Sequence, residues 1–179
     1  MPGLFAQLRR DYEVHGSHLF HLGLWAVWTY HYGRWSLQLG QPWRWFTSKL
    51  YGLLLIMVDL TSGCQIQRES EIGEDLHLIH SGNIKIGPKV RIGDRCGLMQ
   101  DVVLGTTIDK PGTPVLGDDV FIGPGAKVLG PVTIGDGVRI GANSVVLADV
   151  PAGTTAIGVP ARVLKFRKNK EEAAEPETS

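Results

Sequence analysis

Six histidines carry the side chain best suited to moving a proton near neutral pH: His15, His18, His21, His31, His77 and His80. An imidazole changes charge within the physiological range, so a positioned histidine can take the proton from a hydroxyl as its oxygen attacks. The first four lie in an aromatic-rich stretch, where surface or packing roles account for them. His77 and His80 stand apart in Leu76-His77-Leu78-Ile79-His80-Ser81-Gly82, and Glu69, Glu71 and Asp75 are close enough in sequence for any of them to orient a ring. The thiols are poorer candidates. Cys64 and Cys96 are too few for a disulfide framework or a zinc site, so they read as free thiols in a reducing compartment, and no metal is expected. No phosphate-cradling Gly-rich loop ending in Lys is present, which removes support for nucleotide hydrolysis. Eighteen basic side chains balance eighteen acidic ones, so nothing marks a nucleic-acid-binding face.

The elements that must position His77 and His80 are written in a repeat. An aliphatic returns every sixth residue at Ile86, Ile92, Leu98 and Leu104, then at Leu116, Ile122, Val128, Ile134, Ile140 and Val146. Asp109-Lys110-Pro111-Gly112-Thr113-Pro114 fills one repeat length between the two runs without upsetting the phase. An earlier set, Ile66, Ile72, Leu78 and Ile84, keeps the period two residues out of step, which places a short insertion between His80 and Ile84. His80 sits at that slip, where a side chain can be pushed out into a cleft. Glycine follows most of the aliphatics, and four residues after them comes a second small or branched set, including Val90, Cys96, Val102, Val120 and Ala126. A helix wants spacings of three and four, and a plain strand alternates by two. A period of six instead predicts very short strands joined by tight turns and stacked into a coil, with one buried column of aliphatics. The glycines are expected to supply unusual backbone dihedrals at the bends.

Residues 1–61 read differently. Leu19, Leu22, Trp25, Ala26 and Thr29 share one side at helical spacing, and Pro42 breaks the pattern before a second helix that runs towards Val58. This predicts a helical cap over 1–61, a coil over 62–166 and a charged, solvated tail over 167–179. Trp43, Trp45 and Phe46 either pack the cap or touch a membrane surface. The N-terminus lacks signal-peptide architecture and the longest apolar run, Leu53 to Val58, is far too short to span a bilayer, so a cytoplasmic protein is expected.

The chain resembles the hexapeptide-repeat acyltransferases, and within them the serine acetyltransferases, over about Gly23 to Val163. The motifs that carry the resemblance are Gly23-Leu24-Trp25-Ala26 with Tyr30-His31-Tyr32-Gly33-Arg34-Trp35, Gln100-Asp101-Val102-Val103-Leu104-Gly105, Ile122-Gly123-Pro124-Gly125-Ala126-Lys127, and Gly158-Val159-Pro160-Ala161-Arg162. The resemblance implies a mainly β fold, a left-handed parallel β-helix of hexapeptide repeats with an N-terminal α-helical cap, assembled as a homotrimer with acetyl-CoA between neighbouring prisms. It puts His80 on the catalytic histidine. It puts Gly105, Ala126 and Ala142 where small residues admit the thioester arm, beside Thr106 and Thr107, which stand where the family has glycines. Lys127, Arg162 and Lys165 are the candidate partners of the CoA phosphates. Asp11 and His77 are candidate acceptor-binding residues, with a helix-capping or solvated carboxylate and a packing ring as the competing readings.

The acceptor side departs from the family. Ile79 replaces the aspartate before the histidine, Gln65 stands at a second carboxylate, and Thr113-Pro114-Val115 stands where a histidine and arginine pair is expected. These departures favour an O-acetyltransferase acting on a sugar or polysaccharide precursor. A serine acetyltransferase with a divergent acceptor site, and a non-catalytic scaffold, are the other readings. Pro176-Glu177-Thr178-Ser179 lacks the family's terminal isoleucine, so a complex with cysteine synthase is not expected.

Overall fold

The computed structural model describes residues 4–80 and 82–164. Three helices come first: α1 (Leu4–Val14), α2 (Leu22–Ser36) and α3 (Trp43–Ser62). Gly63, left-handed at φ 68°, ends α3 with its N–H on the Asp59 carbonyl, 2.8 Å away. Such a C-terminal glycine reverses the chain at little steric cost.

The remainder is a left-handed parallel β-helix of about five turns. Its first face stacks β1 (Gln65–Ile66), β4 (Lys85–Ile86), β7 (Val103–Gly105), β10 (Lys127–Leu129) and β13 (Val145–Val146). The second stacks β2 (Glu71–Ile72), β5 (Arg91–Ile92), β8 (Val115–Leu116) and β11 (Thr133–Ile134). The third stacks β3 (His77–Leu78), β6 (Gly97–Leu98), β9 (Phe121–Ile122), β12 (Arg139–Ile140) and β14 (Thr155–Ile157), and β15 (Arg162–Leu164) closes it antiparallel to β14. The second residue of nearly every two-residue strand points inward. Ile66, Leu78, Ile86, Leu98, Leu104, Ile122, Ile134 and Ile140 are all but inaccessible to solvent.

Register locates both irregularities of the repeat. Lys85 pairs with Val103, eighteen residues on, whereas Gln65 pairs with Lys85, twenty residues on. The two extra residues fall between β3 and β4, at the corner that carries His80. Ile84 is buried, but as a corner residue ahead of a strand, in the column of Val90, Cys96 and Val102, not as a member of the strand column. Val103 pairs with Lys127, twenty-four residues on, because the segment from Thr106 to Pro114 bulges out as a loop between β7 and β8.

The glycines have a different cause from the expected one. Gly73, Gly93 and Gly117 have ordinary φ, and the left-handed positions come two residues later at Asp75, Arg95 and Asp119. What requires glycine is the next turn's aspartate. A Cβ at Gly73, Gly93 or Gly117 would stand 2.2, 2.3 or 2.0 Å from Oδ1 of Asp94, Asp118 or Asp136. Those same carboxylates accept the N–H of Glu74, Asp94 and Asp118 at 2.7, 2.9 and 2.9 Å. Each turn therefore seats its carboxylate on the turn before it.

The cap also differs in its facing. Ala26, Val27 and Tyr30 of α2 are buried on the coil and Leu24 is buried beside them, whereas Leu19, Leu22 and Trp25 are exposed. Trp43, Trp45 and Phe46 are 69%, 55% and 57% exposed, so they do not pack the cap onto the coil. Among the described residues no helix is long and apolar enough to cross a membrane.

The cap meets an edge. The first turn has no turn before it, so its outer strand edges would leave backbone groups unpaired under the helices. One ring closes each face. Tyr51 Oη donates to the Ile66 carbonyl (3.4 Å) and accepts the Arg68 N–H (3.2 Å). Tyr30 Oη donates to the Ser70 carbonyl and accepts the Ile72 N–H, both at 3.2 Å. His15 Nε2 accepts the Leu78 N–H at 3.3 Å.

Candidate active site

His80 follows β3 on the corner between the third and first faces and is exposed. The same corner continues upward through Gln100 and Asp101, then Gly125, then Ala142 and Asn143. Backbone bonds tie these levels together: Asp101 N–H to the Gly82 carbonyl (2.8 Å), Gly125 N–H to Gln100 (2.9 Å) and Asn143 N–H to Pro124 (2.8 Å). Arg162 pairs with Ile157 at the top. Adjacent strands lie about 4.8 Å apart, so the row from His80 to Arg162 spans roughly 24 Å over five steps. Lys127 leans over this corner with its ammonium on the Asp101 carbonyl.

The candidate residues thus divide. His80, Lys127, Ala142 and Arg162 share one edge of the prism. Gly105 lies beside it on the first face, where an added Cβ would meet nothing within 4 Å. It helps line a groove of about 350 Å³ with Gln65, Lys85, Thr106 and Thr113. Ala126 is fully buried in the core, so it offers only backbone, and its N–H and carbonyl are already bonded to Gly123 and Val103. Ala142 sits on a turn of the corner, not on a flat face. Lys165, together with the tail and the C-terminal residues on which the cysteine synthase expectation rests, lies outside the described residues.

Asp11 is neither a helix cap nor a solvated carboxylate. It is buried within α1, with Oδ2 3.3 Å from His31 Nε2. His77 is half-buried and meets the His15 ring edge-on at 5.2 Å. Burial pushes its pKa down, and the neighbouring His21 and His80 push the same way. Asp11 and His77 therefore stand under the cap, below the row that His80 begins.

The residues that depart from the family on the acceptor side are engaged in structure. Gln65 Nε2 donates to Asp59 Oδ2 at 2.7 Å, and Lys85 Nζ donates to Asp59 Oδ1 at 2.6 Å. Those two bonds, Lys85 foremost, hold the Asp59 carboxyl below its ordinary pKa. The Ile79 side chain approaches Gly97 on the neighbouring turn. Thr113 Oγ1 donates to the Lys89 carbonyl at 2.8 Å. Cys96 is buried, and burial raises its thiol pKa to about 11, which makes it a poor nucleophile. A larger groove, about 750 Å³, lies between α1, α2 and the second face, lined by Phe5, Tyr32, Arg34 and Trp35 and by His31, the ring that faces Asp11. No group of three or more His, Cys, Asp or Glu among the described residues is arranged to hold a metal ion.

Asp59 and the edge-closing rings were not visible as such in the sequence. Asp59 is separated from Lys85 by a whole turn of the coil, and a lone tyrosine in an aromatic-rich helix carries no signature of an edge.

Comparison with known proteins agrees with this architecture. Residues 113–148 match the family model described as bacterial transferase hexapeptide (six repeats). A serine acetyltransferase from Bacillus pumilus is 36% identical over 151 residues, covering 82% of this chain and 65% of that protein. The soybean serine acetyltransferase apoenzyme superposes with a TM-score of 0.76 at 30% identity, covering 92% of this chain and 70% of that one. A serine acetyltransferase in complex with CoA superposes with a TM-score of 0.77 at 28% identity, covering 91% and 70%. The chain spans about half the length of the first curated relatives it matches.

Proposed function

Because this chain belongs to the hexapeptide-repeat acyltransferases, we propose that it is an acetyl-CoA-dependent O-acetyltransferase with His80 as general base and L-serine as acceptor. The observation that carries the reading is His80 itself, the exposed imidazole at the slipped corner, with a row of small and basic residues rising above it. Gly105 leaves open space on the adjoining face, which suits a narrow thioester arm. Arg162 and Lys127 are the cations available to its phosphates. Acetyl-CoA supplies the activated acetyl group. His80 takes the proton of the acceptor hydroxyl as that oxygen attacks, a contribution worth about 10²–10⁴ in rate. A homotrimer in which a neighbouring prism walls the cleft is part of this proposal.

Serine as acceptor is supported by the names of the relatives. One specific observation favours a second reading, transfer to a sugar hydroxyl. Gln65 and Thr113 are spent on Asp59 and Lys89, Lys85 in the same groove is itself paired with Asp59, and Ile79 brings no charge, so the described residues of the groove offer an amino acid no unpaired charge. The test is CoA release from acetyl-CoA with L-serine beside a panel of sugars and sugar nucleotides. Serine-dependent release that is lost in His80→Ala supports the main reading. Release with a sugar alone moves the acceptor to the second. Release that survives His80→Ala refutes the base.

A further inference from the structure

Of the three rings that close the first turn, only His15 changes charge near neutral pH, and it closes the face that carries His80. The His15 ring is 3% exposed. Its Nδ1–H donates to the Asp11 carbonyl at 2.8 Å, and its Nε2 accepts the Leu78 N–H at 3.3 Å. That pair of bonds requires the neutral ring, since Nε2 must present a lone pair. The flanking Leu78 neighbours, His77 and Ile79, direct their N–H groups the other way, to Cys96 and Leu98 on the next turn. Leu78 is wholly buried, so water does not replace the bond.

We propose that His15 is a positioning residue for His80, a latch that holds the outer edge of β3 while its ring is neutral and releases it on protonation. The proposal rests on the reading of His80 as the base. A proton on Nε2 would set donor against donor at Leu78, two residues before His80. The groups around the ring are the Asp11 carbonyl from α1, the Asp11 carboxylate (itself facing His31 of α2), His21 ahead of α2, and His77 of β3 with His80 beyond it. Nearby, Arg10 is paired with Glu74. The His77 ring meets the His15 ring edge-on at 5.2 Å, so protonating both sets positive charge against positive charge. Burial, with His77 and His21 adding to it, lowers the His15 pKa, against the bond to Asp11. Release therefore belongs to the acid side of neutrality.

The test follows Leu78 amide hydrogen exchange by NMR, corrected for intrinsic rate, from about pH 8 to about pH 5. His15→Gln keeps an acceptor and a donor without titrating, and His15→Phe keeps the ring shape without an acceptor. Wild-type protection at Leu78 is expected to fall by about tenfold towards acid pH, the loss of one buried hydrogen bond. Protection in His15→Gln is expected to be flat, and in His15→Phe low throughout. Acetyl-transfer rates measured alongside should lose one proton from their acid limb in His15→Gln. Wild-type protection that does not change with pH overturns the latch, as does the wild-type profile persisting in His15→Gln. If His80→Ala keeps full turnover, the base assignment falls, while a pH-dependent Leu78 signal still identifies the latch.

Discussion

Tyr30→Phe removes a single oxygen from a buried ring and tests how the cap closes the coil. Tyr30 is 2% exposed. Its hydroxyl donates to the Ser70 carbonyl and accepts the Ile72 N–H, both at 3.2 Å. The substitution leaves ring packing unchanged and strands one backbone acceptor and one donor beneath α2. An unsatisfied buried group costs about 1–3 kcal/mol. Two of them, less some relaxation of the two-residue strand, give about 2–4 kcal/mol. At about 2–4 °C per kcal/mol for a chain of this size, Tm should drop by about 4–16 °C. Urea unfolding at fixed protein concentration measures it, with a lowered midpoint at unchanged slope. Tyr32→Phe is the control, since Tyr32 is only half-buried and its hydroxyl has one long contact, 3.4 Å to the Thr47 carbonyl. A Tyr30→Phe loss below about 0.5 kcal/mol would refute edge closure by these rings and leave the cap held by apolar burial alone.

The glycines make a paired prediction. Gly117→Ala puts Cβ 2.0 Å from Asp136 Oδ1 and 2.9 Å from its backbone nitrogen, so it should destabilise by more than about 2 kcal/mol in the same unfolding assay. Gly105→Ala meets nothing within 4 Å and should stay within about 0.5 kcal/mol of wild type, while weakening the thermal stabilisation given by acetyl-CoA. Stability should also depend on pH through His15 and His77, whose folded-state pKa values burial depresses. Below about pH 6.5 the unfolded chain takes up protons that the folded chain refuses. Stability is thus fully present above that pH and falls as the solution is acidified through the window below it; His15→Gln should flatten part of the slope.

Much of the coil was legible because its physics is one-dimensional. Each turn buries its aliphatic only on the turn before and after, so a period of six in Ile, Leu and Val along the chain is the core itself. The slip before Ile86 and the insertion around Pro111 could be counted for the same reason, and each adds its residues at one corner. His80 stood out because it occupies one of those irregularities.

The cap was less legible. Stripes on α2 can be drawn through Leu22 and Trp25 or through Leu24, Val27 and Tyr30, and periodicity alone does not say which faces the coil. The buried face includes Gly23 and Gly33, where Leu78 and Tyr51 approach within 2.9 and 2.5 Å of a would-be Cβ. Close approach between distant segments chose it. Asp11 shows the same limit, since a carboxylate ahead of a helical pattern looks like a cap until His31 is folded against it.

The sequence by itself determined the repeat, its two interruptions and the histidine at one of them, because those depend on neighbours at fixed distance along the chain. Only the tertiary structure decided what closes the first turn, what Gln65 and Lys85 hold, and why glycine is required at Gly73, Gly93 and Gly117. Each of these is a contact between a backbone group or carboxylate and a partner a whole turn or a whole helix away. Hydrogen-bond complementarity of that kind has no period in sequence.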